Sequence, residues 1–189
     1  GAIQDRATAA VSMDRQPDGG YSDVLVGRND ELALLEGALG RALRGERQVV
    51  FVTGEPGIGK TMLVNSFVGS LRDHPALAVA WGQCVEQYGS GEAYLPILEA
   101  LSRLARRRDG GQLAELLHRH APTWLAQMPE LIDTACLPAL ERATATTTGA
   151  RMLRELAQAL PMLAERCPLI LLLEDLHWAD PSTLTLIGY

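Results

Sequence analysis

The sequence has few cysteines and few basic residues, which argues against disulfide-rich, zinc-binding and nucleic-acid-binding proteins. Its three cysteines, Cys84, Cys136 and Cys167, are too scattered for a disulfide framework, and no histidine lies near them at zinc-ligand spacing. Basic residues are outnumbered by acidic ones, 17 to 23, which gives a net charge of −6 and argues against direct nucleic-acid binding by this segment. We therefore expect reduced thiols in a cytoplasmic protein.

Long apolar runs are also missing. No stretch approaches the roughly 18 apolar residues of a membrane span, so we expect no membrane partner. Residues 1–22 are small and polar and predict a flexible leader. The hydrophobic content of 47% nevertheless suffices for a core in residues 23–189. An apolar helical pattern still runs at residues 182–189, which predicts a domain that continues beyond them.

Helix and strand patterns alternate along residues 23–189. A first helix is predicted with Asn29 as its N-cap, because acidic residues follow and leucines recur at helical spacing. A second helix is predicted at residues 61–71. Short apolar runs predict strands at residues 49–53, 77–81 and 169–173, although the last run by itself could equally be part of a buried helix. Residues 92–166 have a helical pattern, and Pro161 should kink or split the last helix. This order predicts an α/β fold with a largely parallel sheet and a helical insertion at about residues 92–166.

The stretch TGEPGIGKT, residues 53–61, lies between a predicted strand and a predicted helix. Such a connection points several backbone N–H groups at one place, which suits a polyphosphate. The spacing fits GxxxxGK[ST], so Lys60 would reach the β- and γ-phosphates and Thr61 would bind Mg²⁺. The alternative is a glycine-rich turn with an exposed lysine, but the strand before and the helix after favour a phosphate loop. The predicted nucleotide-binding residues are Gly54, Glu55, Pro56, Gly57, Ile58, Gly59, Lys60, Thr61 and Met62.

A second motif, LILLLEDLHWAD, ends an apolar strand in two acids. Glu174 and Asp175 would then lie at the carboxyl edge of the sheet, where they can hold Mg²⁺ and orient water. Asp180 precedes Pro-Ser-Thr and is favoured as a helix N-cap over a ligand. For His177 and Trp178 two roles stay open, nucleotide sensing and packing under the loop.

The motifs together resemble a known family. LVGRNDEL, TGEPGIGKT and LLLEDLHWAD, with WGQCVEQYGSGEAYLPILEAL and APTWLAQMP between them, are similar to the N-terminal part of the AAA-type P-loop ATPase module of bacterial STAND regulators. Such modules occur in large LuxR-like or SARP-like transcriptional activators and in cyclase-linked ATPases. The resemblance covers residues 24–189 and implies a P-loop NTPase fold cut after its Walker B strand.

The resemblance also implies roles for single residues. Val26, Gly27, Arg28 and Glu31 match the element hhGRxxE, which in the family lies beside the nucleotide and helps to recognise it. Glu174 falls where the family usually has its Mg²⁺-binding aspartate, and Asp175 where a carboxylate polarises the attacking water. Glutamate is one methylene longer than aspartate, so the division of labour between the two acids stays open.

Two functions compete at this point. The resemblance implies a switch that binds ATP or ADP with Mg²⁺, hydrolyses ATP slowly, and responds through self-association or intramolecular regulatory domains. The other function is a metabolic P-loop enzyme such as a small-molecule kinase. The sequence has no Asn-Lys-x-Asp guanine motif, which favours adenine. Residues 1–189 alone are expected to hydrolyse ATP slowly, because the transition state of hydrolysis needs further positive charge at the γ-phosphate.

Overall fold

The computed structural model describes residues 7–12, 27–71, 77–86, 92–106, 110–133, 137–144, 146 and 148–189. The chain forms two compact units, Gly1–Pro75 and Ala76–Tyr189. Both combine helices with a two-stranded parallel sheet, so the α/β class and the parallel pairing are confirmed within each unit. That the two pairs belong to one larger sheet stays a prediction.

The first unit is built around the strand that enters the glycine-rich loop. Its elements are β1 (Ala7–Ser12), α1 (Asn29–Ala42), β2 (Gln48–Thr53) and α2 (Lys60–Ser70). β1 pairs with β2 in parallel from Ala7 opposite Gln48 to Ser12 opposite Thr53. Both strands therefore end at the edge where the loop begins. The strand β1 lies inside the predicted leader; the leader's other residues lie outside the described ones.

The two helices of this unit bury narrow apolar faces. Leu35 and Ala38 of α1 are buried, as are Leu63 and Phe67 of α2. The leucine spacing of α1 marks its buried face only in part, because Leu43 at the end of the pattern is 52% exposed. The predicted N-cap Asn29 is wrong. The N–H of Leu32 bonds to the carbonyl of Arg28 at 3.0 Å, so the capping position is one residue earlier, and no side chain caps this helix.

The second unit holds the predicted helical insertion between its two strands. In chain order its elements are β3 (Ala78–Gln83), α3 (Leu95–Ala105), α4 (Gly110–His120), α5 (Pro122–Ala126), α6 (Leu137–Thr144), α7 (Gly149–Arg166), β4 (Leu169–Glu174) and α8 (Pro181–Gly188). Short 3₁₀ turns occupy Pro129–Leu131 and Leu176–Trp178. β3 and β4 pair in parallel, from Ala78 opposite Leu169 to Gln83 opposite Glu174.

The core of this unit lies among the inserted helices rather than on the sheet. Trp124 and Ile97 are fully buried, and Leu117 and Leu156 from neighbouring helices are almost as well enclosed. The residues of β4 are only half-buried, so the sheet contributes less to this core than the inserted helices do.

Pro161 lies inside α7 without splitting it, so the predicted split into two helices is wrong, whereas the alternative, a kink, stays a prediction. The helix runs unbroken from Gly149 to Arg166. The face of the helix that carries Pro161 is exposed, so water can hydrogen-bond the carbonyl that lacks an N–H partner. A proline is therefore tolerated at this exposed position, whereas at a buried position the carbonyl would be left without a hydrogen-bond partner.

A close backbone contact joins β3 to α3 at Gly82. A Cβ built on this glycine would lie 1.9 Å from the carbonyl oxygen of Pro96, a distance that real Cβ atoms do not adopt. Glycine is therefore required at this strand position, because it lets the helix approach the strand directly.

We expect Gly82→Ala to lower the free energy of unfolding by about 1–3 kcal/mol, because the strand and helix must separate to admit the methyl group. Gly111→Ala in α4 is the matched control, since nothing lies within 4 Å of its added Cβ. It should leave the melting temperature unchanged or raise it. Thermal unfolding followed by circular dichroism measures both, and equal stability of the two variants would contradict the contact.

Candidate functional site

The glycine-rich loop of the first unit has a backbone that only glycine adopts easily. Gly57 and Gly59 have φ angles of 81° and 96°, in the left-handed region. Gly59 is also the N-cap of α2, so the capping position has no side chain to bond the N–H groups of the first turn. A helix begins here with its positive end free of a capping side chain, as an anion site requires.

Lys60 folds back across the loop. Its ammonium donates to the carbonyl oxygens of Gly54, at 2.8 Å, and Glu55, at 2.9 Å. These contacts hold the half-buried side chain against the start of the loop. Lys60 is also the only lysine in the sequence. Thr61 and Met62, the next two predicted site residues, are exposed at the start of α2.

Arg28 connects the hhGRxxE element to this loop. Its guanidinium is buried, pairs with Glu31 at 2.8 Å, and donates to the carbonyl of Ile58 at 3.4 Å. Burial acts to raise the pKa of Glu31, but the hydrogen bond and charge of Arg28 outweigh it, so the pKa lies below its ordinary value. The carboxylate thus stays charged at neutral pH. Of the other predicted residues, Gly27 precedes the arginine with φ 78°, and Val26 lies outside the described residues.

The acidic motif lies in the second unit. Glu174 ends β4 half-buried, and the exposed Asp175 follows it in the left-handed conformation, with φ 52°. The side-chain amide of Gln83 approaches a carboxylate oxygen of Asp175 at 3.4 Å. Since Gln83 is opposite Glu174 in the register, three polar side chains lie at the carboxyl ends of β3 and β4.

Asp180 closes the turn that follows the acids. One carboxylate oxygen accepts from the N–H groups of Ser182 and Thr183 at 2.9 and 3.0 Å, so its predicted role as N-cap of α8 is confirmed. The other accepts from the N–H of Tyr94 at 3.2 Å. Sequence analysis missed both Tyr94 and Gln83. Gln83 was recognisable as a polar residue ending a strand, whereas nothing in the sequence marks Tyr94.

The negative charge of this turn affects the pKa of a neighbouring cysteine. Burial raises the pKa of the Cys84 thiol, and the charges of Asp180 and Asp175 raise it further. Neither the buried Cys84 nor the half-buried Cys167 forms a disulfide within the described residues, and Cys136 lies outside them. His177 and Trp178 are exposed with ring centroids 5.0 Å apart, so Trp178, 45% exposed, does not pack beneath the turn.

A comparison with protein families matches residues 24–189 to the AAA ATPase domain. The chain belongs to this family. Comparisons with curated proteins and with solved structures give no match. Membership implies the P-loop NTPase fold and a nucleotide-binding module of this AAA ATPase domain, and it agrees with the loop geometry of residues 54–61. In the described parts of the chain, no helix has both the length and the apolar character needed to cross a membrane.

The metal that an AAA ATPase domain generally uses with ATP is Mg²⁺. Over the described ranges, no three His, Cys, Asp or Glu side chains are grouped as a metal cage. Mg²⁺ in nucleotide sites is typically held by one or two carboxylates together with phosphate oxygens and water. The adjacent oxygen donors of Glu174 and Asp175 fit this kind of site.

The left-handed backbone of Asp175 gives a prediction about stability. Asparagine adopts this region more readily than alanine, so Asp175→Ala should be less stable than Asp175→Asn by about 1 kcal/mol. The same pair of substitutions at Asp30, which is helical in α1, should not penalise alanine. Urea unfolding of the four variants measures this. Equal stability of the two Asp175 variants would show that the backbone is not constrained there.

Proposed function

We propose that this AAA ATPase domain is the nucleotide switch of a bacterial signalling or transcriptional regulator, which binds ATP with Mg²⁺ and hydrolyses it slowly. The observation that carries ATP binding is the loop at residues 54–61, with the lysine curled across it and the uncapped helix α2 behind it. The regulatory role rests on the motifs that the chain shares with STAND regulators. Its partners would be further copies or other domains of the same regulator.

In this proposal the loop binds the phosphates through charge and backbone N–H groups. Lys60 already lies across the loop, and a β- or γ-phosphate replaces the carbonyls of Gly54 and Glu55 as its partner. The first turn of α2 adds the positive end of a helix dipole. Arg28, braced by Glu31 and the Ile58 carbonyl, shapes the loop from one side and contributes to nucleotide recognition together with Val26 and Gly27.

The acids supply the metal and water chemistry. Glu174 and Asp175 would offer carboxylate oxygens to Mg²⁺, and one of the two would orient the attacking water. Gln83, which contacts Asp175, limits the orientations open to that carboxylate. Arg28 also contacts the loop, but its charge is paired with Glu31 rather than free for a γ-phosphate, which supports slow turnover.

Replacing Lys60 by Ala should weaken ATP binding roughly 10- to 100-fold, because a charge-assisted hydrogen bond to phosphate is lost. Lys60→Arg is the control that keeps the charge and should lose less. Titration calorimetry with ATP measures all three proteins. An ATP affinity unchanged in Lys60→Ala would overturn the assignment of the phosphate loop.

The single lysine allows a direct second measurement on the same protein. An amine-selective reagent modifies Lys60 and the chain's terminal amine, and peptide mapping separates the two. ATP should slow labelling of Lys60 and leave the terminal amine unaffected. Labelling of Lys60 at the same rate with and without saturating ATP would place the nucleotide elsewhere.

Neutralising both acids, with Glu174→Gln and Asp175→Asn, should remove the gain in ATP affinity that Mg²⁺ provides and stop the slow hydrolysis. Affinity measured with a chelator present should stay as in the parent, because the loop is untouched. The control pair Asp30→Asn and Glu36→Gln neutralises exposed acids on α1. If the acids only end the strand, Mg²⁺ will still raise the affinity in a double variant with an unchanged circular dichroism spectrum.

A further inference from the structure

The carboxylate of Asp180 serves two elements at once. Its first oxygen caps α8 through Ser182 and Thr183. Its second oxygen accepts from the backbone N–H of Tyr94, which is the N-cap residue of α3, and from the Thr183 hydroxyl. A helix cap needs only one oxygen, so the contact with Tyr94 is additional to capping.

Tyr94 is unusual in its backbone and fully enclosed. It is 2% exposed and adopts the left-handed conformation with φ 64°, which is costly for a bulky aromatic residue. The surroundings must therefore hold it there. The bond from its N–H to Asp180 is one such restraint, and it ties the entry of α3 to the turn after β4.

The side chain of Tyr94 extends into the core of the inserted helices. Its hydroxyl donates to the carbonyl of Gly149 at 3.1 Å, and its ring centroid lies 5.0 Å from that of Trp124. The indole N–H of Trp124 in turn donates to the carbonyl of Met152 at 2.7 Å. One residue thus contacts the Asp180 carboxylate through its backbone and both α5 and the first turn of α7 through its side chain.

The turn between the acids and Asp180 is short and internally bonded. The N–H of Trp178 bonds to the carbonyl of Asp175 at 2.8 Å, and that of Ala179 to Leu176 at 3.0 Å. A displacement of Asp175 is therefore carried along the turn to Asp180 rather than absorbed by loose chain.

We propose that Asp180 is a positioning residue that couples the acidic turn to the inserted helices α3–α7 through Tyr94, so that Mg²⁺–ATP binding changes the packing around Trp124. This rests on the proposed function, since it takes Asp175 to bind the metal. The competing explanation is that Asp180 only stabilises the fold as a cap. The two differ in whether Trp124 responds to the nucleotide and whether that response depends on Asp180.

Tryptophan fluorescence separates these explanations. Trp81→Phe with Trp178→Phe leaves the buried Trp124 as the sole tryptophan of the chain. In this reporter, Mg²⁺–ATP should change the Trp124 emission. Asp180→Asn keeps one oxygen for the cap of α8 but turns an NH₂ group toward the N–H of Tyr94, which then loses its acceptor. The emission change should fall about fivefold or more in this variant, while ATP affinity by calorimetry stays near that of the reporter.

Control measurements distinguish a failure of the coupling from a failure of the proposed function. Asp30→Asn removes one exposed negative charge from α1 and should leave the response intact. ATP binding without any Trp124 response, or an equal response in Asp180→Asn, overturns the coupling and leaves the proposed function standing. Absence of ATP binding in the parent by calorimetry overturns both.

A second measurement does not depend on the folding of Asp180→Asn. Hydrogen exchange of the unmodified chain, with and without Mg²⁺–ATP, should show altered protection in peptides covering residues 92–98 and 149–155. Unchanged protection there, with ATP bound, would contradict the proposal.

Discussion

The left-handed backbone at Gly59 is the constraint on which the first unit's chemistry depends. With φ at 96°, the chain turns from the loop directly into α2, so that the first turn of the helix follows the loop without an intervening residue. A residue with a side chain would be strained in this backbone conformation. A side chain that capped the helix would also occupy the N–H groups that an anion would otherwise bind. The position of the lysine follows from the same turn, since Lys60 is the first residue of the helix and curls back over the loop that precedes it.

In the second unit, the register of the two parallel strands sets the positions of the acidic residues. Because β3 and β4 are parallel and end together, Gln83 and Glu174 lie side by side, and the chain leaves the sheet at Asp175. From the left-handed Asp175 the chain enters the 3₁₀ turn Leu176–Trp178, and Asp180 then caps the start of α8. Few residues are involved, and nearly all of them hydrogen-bond another part of the same turn or the entry of α3.

The sequence was informative where local chemistry decides the structure. The loop at residues 54–61, the strand ending in Glu174, and the N-cap Asp180 were all predicted, because glycine spacing, apolar runs and Asp-Pro signals act over a few residues. Asn29 failed as a cap because Arg28, whose side chain is paired elsewhere, occupies the capping position. Tyr94 could not have been found, since its role depends on a carboxylate 86 residues away in the chain.

The strand β1 has a practical consequence for work with this protein. It lies before residue 24, where the match to the AAA ATPase domain begins, yet it pairs along the whole of β2. A chain shortened to the family boundary would leave one side of β2, the strand that enters the phosphate loop, with unpaired N–H and carbonyl groups. Such an edge attracts strands from other molecules, so the shortened protein would tend to self-associate through backbone pairing.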